Sequence, residues 1–197
     1  KRQEYQTFNI DTEPEETVSG VLQYIYETVD PSLAFRFVCN MQKCGECAVM
    51  VNNSPCLACE KKIESEMTID PLPHLPIVKD LVIDRYKTIA NIFKIGPFLK
   101  RTSFIDRGGA VYPGISDNSI NLGKCLECLI CQSVCPVLRK YPNRFIGPLG
   151  ILWLTQKSTD YPEDTDYWNK EAYNALEMCV FCGKCWEVCP DELNILD

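Results

Sequence analysis

Two runs of cysteines with one shared spacing constrain this chain more than any other feature. Each run reads C-x2-C-x2-C-x3-C-P, with three cysteines at every third residue and a fourth immediately before proline. The members are Cys125, Cys128, Cys131, Cys135 and Pro136, and then Cys179, Cys182, Cys185, Cys189 and Pro190. In this spacing the first three thiolates hold three corners of one cubic iron–sulfur cluster, and the fourth ligates the other cluster. The two runs are therefore predicted to meet in space.

We assign the sulfurs of the two runs to two 4Fe-4S clusters by this rule. One cluster takes Cys125, Cys128, Cys131 and Cys189, and the other takes Cys135, Cys179, Cys182 and Cys185. Zinc is the alternative, because structural zinc sites also use paired C-x2-C knuckles, but they draw two ligands from each knuckle. A third cysteine at the same step and a proline after the fourth, in both runs, favour iron–sulfur clusters.

A further group of cysteines lies earlier in the chain. Cys39, Cys44 and Cys47 are followed by Cys59. This is the plant-type spacing of a 2Fe-2S cluster, in which three thiolates share one loop and the fourth arrives from a neighbouring element. Gly45 suits such a loop, because a backbone wrapped tightly around a cluster needs permissive angles.

Two chemically versatile residues stay outside these ligand sets. Cys56 could replace Cys59 as a ligand or act as a redox-active thiol, but a free cysteine is commonly a small buried hydrophobe. His74, the only histidine, lies in a proline-rich turn. A lone histidine there is more often a surface or packing residue than a metal ligand or proton donor.

Composition excludes several classes of protein. A chain of 197 residues has room for one large domain or two small ones. Its formal charge of -7 and the absence of any basic cluster longer than Lys100-Arg101 argue against nucleic-acid binding. The cysteine count is odd, at 13, and twelve of these residues need to be free thiolates, so a disulfide scaffold is excluded. We therefore expect a reducing, cytoplasmic location.

No membrane span is predicted. The best apolar run, Ile151–Leu154, is far shorter than the roughly 18 residues that a transmembrane helix needs. Any contact with the inner face of the cell membrane is expected to come through a partner. The sequence starts without Met and without a signal-peptide pattern, so we expect its ends to be trimmed.

Hydrophobic patterning in the N-terminal part predicts a small mixed sheet with one helix packed across it. Thr17 is expected to cap the helix, and Asp30-Pro31 to end it, because the residue before proline avoids helical angles. A hairpin turn is predicted at Asn52-Asn-Ser-Pro55. The predicted strands are 4–10, Phe35–Phe37, Ala48–Val51 and Met67–Asp70. We interpret residues 1–76 as a 2Fe-2S ferredoxin-like domain of the β-grasp type.

Pro71, Pro73 and Pro76 mark a domain boundary. Helices are predicted beyond it, from Val78 to Gly96-Pro97, from Ile146 to Leu154 and from Trp168 to Leu176. Segment 96–124 shows little periodicity, which is typical of a functional or partner-bound stretch. We expect residues 77–197 to form an all-helical domain around two 4Fe-4S clusters. The whole chain is thus predicted to be of the α+β class.

With all three cysteine groups in place, the chain resembles the iron–sulfur subunit of succinate dehydrogenase and fumarate reductase. The likeness covers nearly the whole chain. It includes Asp30-Pro-Ser-Leu33, Leu57-Ala-Cys59, Pro71-Leu-Pro-His-Leu75, Val78-Lys-Asp-Leu-Val82 and Ile146-Gly-Pro148. The resemblance implies a non-catalytic electron-transfer subunit, with FAD and the dicarboxylate or enoate chemistry in a separate flavoprotein. Single electrons would pass through the 2Fe-2S cluster, the first 4Fe-4S cluster and then the second.

The sequence departs from the quinone-reactive members of that family. Their second run lacks its middle ligand and typically holds a 3Fe-4S cluster, whereas this chain has Cys182. They also carry a tryptophan pair and a histidine where this chain has Leu138-Arg139 and Val180. The likeness therefore points to a 4Fe-4S third cluster, of lower potential, and to variants whose partner resembles heterodisulfide reductase.

Two interpretations of function follow. In the first, the chain is a fixed subunit that joins a flavoprotein to a further electron partner, either a quinone-linked membrane anchor or a cysteine-rich soluble subunit. In the second, it is a stand-alone ferredoxin-like carrier. Segment 96–124 and the second domain favour stable docking. Outside the iron-ligand groups, no set of Cys, His and carboxylate residues is available for catalysis, so no catalytic residue is assigned to this chain.

Overall fold

A computed structural model describes residues 4–11, 16–94, 117–160 and 165–195. The chain divides into two compact units. The first comprises Lys1–Pro73 and Ile77–Ile83, and the second comprises His74–Pro76 and Asp84–Asp197. Residues 77–83 thus fold with the N-terminal unit, just beyond the predicted boundary at residue 76.

The helix of the first unit begins and ends where the sequence predicts. The Thr17 side chain accepts a hydrogen bond from the Gly20 N–H, at 3.2 Å, and caps α1 (Val18–Tyr24). The helix continues as a π-helical turn over Ile25–Val29 and ends at Asp30. Buried side chains on one stripe, Val18, Leu22 and Ile25, face the interior of the unit.

The sheet of the first unit is antiparallel, with the order β2-β1-β3. Its strands are β1 (Ala48–Val51), β2 (Ser54–Leu57) and β3 (Ile69–Asp70). Asn52 and Asn53 join β1 to β2 with φ values of 48° and 63°, the left-handed pair that a type I′ hairpin requires. The predicted hairpin is therefore confirmed.

Two other predicted strands are wrong. Residues 4–11 and Phe35–Phe37 carry no strand. The N-terminal segment is joined to β3 through a side chain, because the Tyr5 hydroxyl donates to Asp70 Oδ1 at 2.9 Å. The weak alternation of apolar residues therefore did not predict a strand correctly. The segment contacts β3 through a side chain and forms no strand of the sheet.

The predicted helix start at Val78 is also wrong. β4 (Ile77–Lys79) and β5 (Val82–Ile83) form a hairpin, and α2 (Arg85–Lys94) begins only after it. Branched side chains favour strands here, and Asp80 turns the chain with a φ of 44°. Asp84 then starts the helix, since its Oδ1 accepts from the Lys87 N–H at 3.0 Å.

The described residues of the second unit form helices and no strands. After α2 come α3 (Asp117–Leu122), α4 (Ile130–Val134), α5 (Pro136–Lys140), α6 (Gly147–Asp160), α7 (Thr165–Leu176) and α8 (Lys184–Glu187). The sequence did not predict α3, and the rest of the supposedly irregular segment, residues 96–116, lies outside the described part. One buried cluster joins both cysteine runs to α6: Leu122, Cys135, Val137, Phe145, Ile151, Leu152, Leu193 and Ile195.

Candidate metal centres

The structure brings together the four cysteines of the N-terminal group. The Sγ atoms of Cys47 and Cys59 lie 3.4 Å apart, and both residues are buried. The Cys39 and Cys44 side chains contact each other on the loop before β1. Three sulfurs therefore come from one loop and the fourth from the segment after β2.

Backbone N–H groups point at the first sulfur of this loop. The Met41 and Lys43 amides both donate to Cys39 Sγ at 3.5 Å. These donors lower the pKa of the Cys39 thiol from 9.0 to about 7. The loop reaches this shape through left-handed residues at Asn40 and Gln42 and through the predicted Gly45, whose φ is 66°.

Helix α1 anchors both parts of this site. The Ser19 hydroxyl, on a residue only 1% exposed, donates to Asn40 Oδ1 at 2.6 Å and so holds the loop directly after Cys39. The Ser19 N–H donates to the Ala58 carbonyl at 2.8 Å, which fixes the segment that carries Cys59. Helix α1 thus holds the loop through the Ser19 hydroxyl, and it holds the segment of the fourth sulfur through an N-terminal amide that would otherwise lack a partner.

Two recesses in the second unit each gather four sulfurs from both runs. The first recess is lined by Cys125, Cys128, Cys131 and Cys189, together with apolar residues that include Leu129, Leu149, Leu152 and Leu193. The second recess is lined by Cys135, Cys179, Cys182 and Cys185, together with Val137, Phe145, Pro148 and Ile151. Each recess therefore takes three sulfurs from one run and the last sulfur of the other.

The two runs share one backbone conformation. Positive φ values occur at Glu127 and Leu129 in the first run, 53° and 68°, and at the equivalent Phe181 and Gly183 in the second, 49° and 75°. The Glu127 N–H donates to Cys125 Sγ at 3.4 Å, and the Phe181 N–H donates to Cys179 Sγ at the same distance. Equal spacing of cysteines thus gives equal wrapping of the chain and equal N–H···S contacts.

Helix α4 links the two recesses covalently. It contains Cys131, which lines the first recess, and ends at Cys135, which lines the second. Cys135 then caps α5, because its Sγ accepts from the Leu138 N–H at 3.5 Å. Pro136 follows as the first residue of α5, where a missing N–H has no cost.

Burial raises the pKa of the thiols in these recesses. It raises the pKa of Cys128 to about 11, and it also raises the pKa values of Cys125, Cys131, Cys135 and Cys185. Groups like these become thiolates only when a metal centre supplies positive charge. Sulfur-lined recesses with apolar walls and N–H donors fit an iron–sulfur cluster in ligand number and in chemistry.

The two recesses differ in exposure. Cys128 is buried in the first, whereas Cys182 in the second is exposed. Large apolar side chains next to the second run's cysteines in the chain are exposed: Val180, which lines the second recess, is 62% exposed, Phe181 61% and Trp186 50%. The second recess is therefore the more accessible one.

Cys56 and His74 line neither of the two recesses. Cys56 lies in β2 opposite Val49, and burial raises the pKa of its thiol to about 11, as for a packed apolar side chain. Slight burial, with a smaller effect of Arg139, lowers the pKa of His74. Among the residues that the structure describes, no three His, Cys, Asp or Glu side chains are arranged to hold a single metal ion.

Comparisons with known proteins agree with this arrangement. Residues 1–90 match the family model of the 2Fe-2S iron–sulfur cluster binding domain, and residues 121–193 match that of the 4Fe-4S dicluster domain. The fumarate reductase iron–sulfur subunit of Escherichia coli is 33% identical over 187 residues, which cover 88% of this chain and 74% of that subunit. The chain belongs to the succinate dehydrogenase and fumarate reductase iron–sulfur subunit family.

Other members of this iron–sulfur subunit family extend the comparison. One of them, a subunit of the fumarate reductase (CoM/CoB) of Methanothermobacter marburgensis, is 30% identical over 96% of this chain. The solved Mycobacterium smegmatis Sdh1 complex in the apo form contains a chain with a TM-score of 0.79 and 26% identity, and the match covers 94% of this chain and 82% of that one. This chain spans little more than a third of the length of its methanogen relatives, 36% to 38%.

Three residues that support the sites in this family member were missed by sequence reasoning. Ser19 anchors the N-terminal loop, Arg85 donates from its guanidinium to the Glu127 carbonyl at 2.7 Å, and Gln132 is buried and hydrogen-bonded to the start of α6. A polar residue inside the apolar run Leu129–Val134 was the available signal for Gln132. In the described parts of the chain, no helix has the length and apolar character needed to cross a bilayer.

Proposed function

We propose that this chain is the electron-transfer subunit of a flavoenzyme of the succinate dehydrogenase or fumarate reductase type. It would hold one 2Fe-2S cluster and two 4Fe-4S clusters on the cysteines assigned above. The observation that carries the proposal is the sorting of eight cysteines into two recesses, each walled by four sulfurs drawn from both runs. Each cluster, when bound, takes up and releases one electron.

The chain's own residues would hold these clusters and set their potentials. Backbone N–H groups at Met41, Glu127 and Phe181 donate to cysteine sulfurs. Such donors stabilise negative charge on sulfur and therefore favour the reduced state. The apolar walls of the first recess shield the buried Cys128 from water, whereas Cys182 in the second recess is exposed. No described residue is placed for proton transfer to a substrate, so the catalytic groups are assigned to a partner that carries FAD.

The partner would be an FAD-containing dicarboxylate oxidoreductase subunit. Phe37, Val38 and Met41 flank Cys39 and are 39%, 66% and 66% exposed, which supports docking of a protein next to the 2Fe-2S site. A flavin exchanges electrons in pairs, so a subunit that accepts them singly would be required between it and a one-electron acceptor. Succinate, fumarate or a related enoate is the proposed substrate of that partner.

A second electron partner would dock near Cys182. Two observations support a cysteine-rich, heterodisulfide-reductase-like partner over a quinone-binding membrane anchor. Cys182 completes a set of four cysteines at this site, and the name of one relative cites CoM/CoB. We place the complex in the cytoplasm, because twelve free thiolates need a reducing compartment. Any contact with the inner face of the membrane would then be made by that partner.

Native purification tests the proposal. Anaerobic gel filtration should show this chain eluting with a flavin-containing chain, and Val38→Glu should weaken that association because it places a charge in the apolar surface beside Cys39. Val78→Glu is the matched control, since Val78 is also 66% exposed but lies in β4, which carries no cysteine. A cluster-loaded chain that elutes alone would instead support the stand-alone carrier.

A further inference from the structure

Gln132 is a buried polar side chain between cysteines of different recesses. It follows Cys131, which lines the first recess, and precedes Cys135, which lines the second. Its side chain is only 2% exposed. Burying an amide is unfavourable unless its hydrogen bonds are made, so the partners of Gln132 indicate its purpose.

Both partners of Gln132 belong to the start of α6. Its Nε2 donates to the Ile146 carbonyl at 3.1 Å, and its Oε1 accepts from the Leu149 N–H at 3.4 Å. The side chain thereby caps the first turn of α6 from another helix. Gly147 makes this approach possible, because a Cβ there would lie 2.0 Å from Gln132 Oε1.

The same turn of α6 forms a wall of both recesses. Leu149 and Leu152 line the first recess, and Pro148 and Ile151 line the second. These pairs alternate around the helix, so that two neighbouring faces of one turn serve two sites. A shift of this turn against α4 would change both sites together.

We propose that Gln132 is a positioning residue for electron transfer between the two cubic clusters. It ties α4, which supplies one sulfur to each recess, to the turn of α6 that walls both. This inference rests on the proposed function, because it assumes that both recesses hold clusters. The tie fixes the separation and relative orientation of the two clusters, on which both their magnetic interaction and their electron exchange depend.

EPR spectroscopy of the full chain, reduced under anaerobic conditions, tests this role. Gln132→Met keeps the length of the side chain but makes neither hydrogen bond. We expect it to retain both cubes while changing the spectral broadening that two interacting reduced clusters produce, and to shift the potentials of both cubes but not that of the 2Fe-2S cluster. If Gln132→Met loses its cubes on purification, the same comparison is made with Gln132→Asn, which is too short for both bonds.

Ser133→Ala is the matched control. Ser133 is equally buried on α4, but its hydroxyl donates only within that segment, to the Ile130 carbonyl at 2.8 Å. It should leave the interaction and the potentials unchanged. The inference is overturned if the Gln132 variant keeps the wild-type interaction and potentials, or if Ser133→Ala changes them as much. A wild-type chain without two cubes would overturn the proposed function as well, so the two failures are distinguishable.

Discussion

The cysteines of this chain share one chemistry but differ in surroundings. Cys39 receives two N–H donors, which lower its pKa to about 7, whereas burial is the main cause that raises the pKa of Cys128 to about 11. Cys182 is exposed at the edge of the second recess. The same ligand type therefore sits in a donor-rich loop, in a dry interior and at an accessible surface, and the effect of each substitution should follow that setting.

Replacing Cys182 by serine should remove one corner of the second cube. A serine oxygen binds iron poorly in comparison with a thiolate, so we expect a three-iron cluster with an EPR signal in the oxidised protein, while the first cube and the 2Fe-2S cluster persist. Cys56→Ser is the control and should leave all clusters intact, because Cys56 packs in β2 away from the sites. Two intact cubes in Cys182→Ser would show that Cys182 is not a ligand.

Arg85 should raise the potential of the first cube. Its guanidinium donates to the Glu127 carbonyl, directly before Cys128, and its charge opposes the rise in the Cys128 pKa that burial causes. Reduction adds negative charge, so Arg85→Gln should make reduction less favourable by about 1 kcal/mol. For a one-electron centre this lowers the reduction potential by roughly 40 mV. A redox titration followed by EPR measures the shift. Arg85→Lys keeps the positive charge, so the reduction potential of the first cube should stay close to the wild-type value. An unchanged potential in Arg85→Gln would refute the electrostatic role.

At the scale of elements, two helices begin at left-handed glycines whose surroundings sequence periodicity does not reveal. Gly147 is the first residue of α6 and has a φ of 76°. Gly183 directly precedes α8 and has a φ of 75°. An added Cβ would strike Gln132 at Gly147 but would meet nothing within 4 Å at Gly183. Two glycines with the same backbone angle therefore have different tolerance.

The alanine variants of these glycines separate backbone strain from packing. Gly183→Ala should lower the free energy of unfolding by about 1 kcal/mol through its left-handed angle, since its Cβ would meet no protein atom within 4 Å. Gly147→Ala should lower the free energy of unfolding by about 3 kcal/mol, since it also displaces the buried Gln132 side chain from its hydrogen bonds. The midpoint of denaturant-induced loss of cluster absorbance measures both. Equal midpoints for the two variants would contradict the close contact with Gln132.

At the scale of the whole molecule, cysteine spacing predicted which sulfurs share a recess, because the ligand rule is local in sequence and fixed by cluster shape. Capping at Thr17 and the Asn52-Asn53 hairpin were equally local and are confirmed. The helix assigned from Val78 failed, because its apolar residues fit a hairpin as well as a helical stripe. Gln132 was missed because its partners, Ile146 and Leu149, lie 14 and 17 residues further along the chain at the start of another helix. Hydrophobic periodicity does not predict contacts between helices.

We propose that twelve sulfurs of this chain hold one 2Fe-2S cluster and two cubes. An anaerobic redox titration of the intact chain, followed by quantitative EPR, counts these centres and identifies their type. We expect about ten irons per chain, three separate one-electron centres and no 3Fe-4S signal in the oxidised state. A 3Fe-4S signal from undamaged oxidised protein, or fewer than three centres, would contradict it.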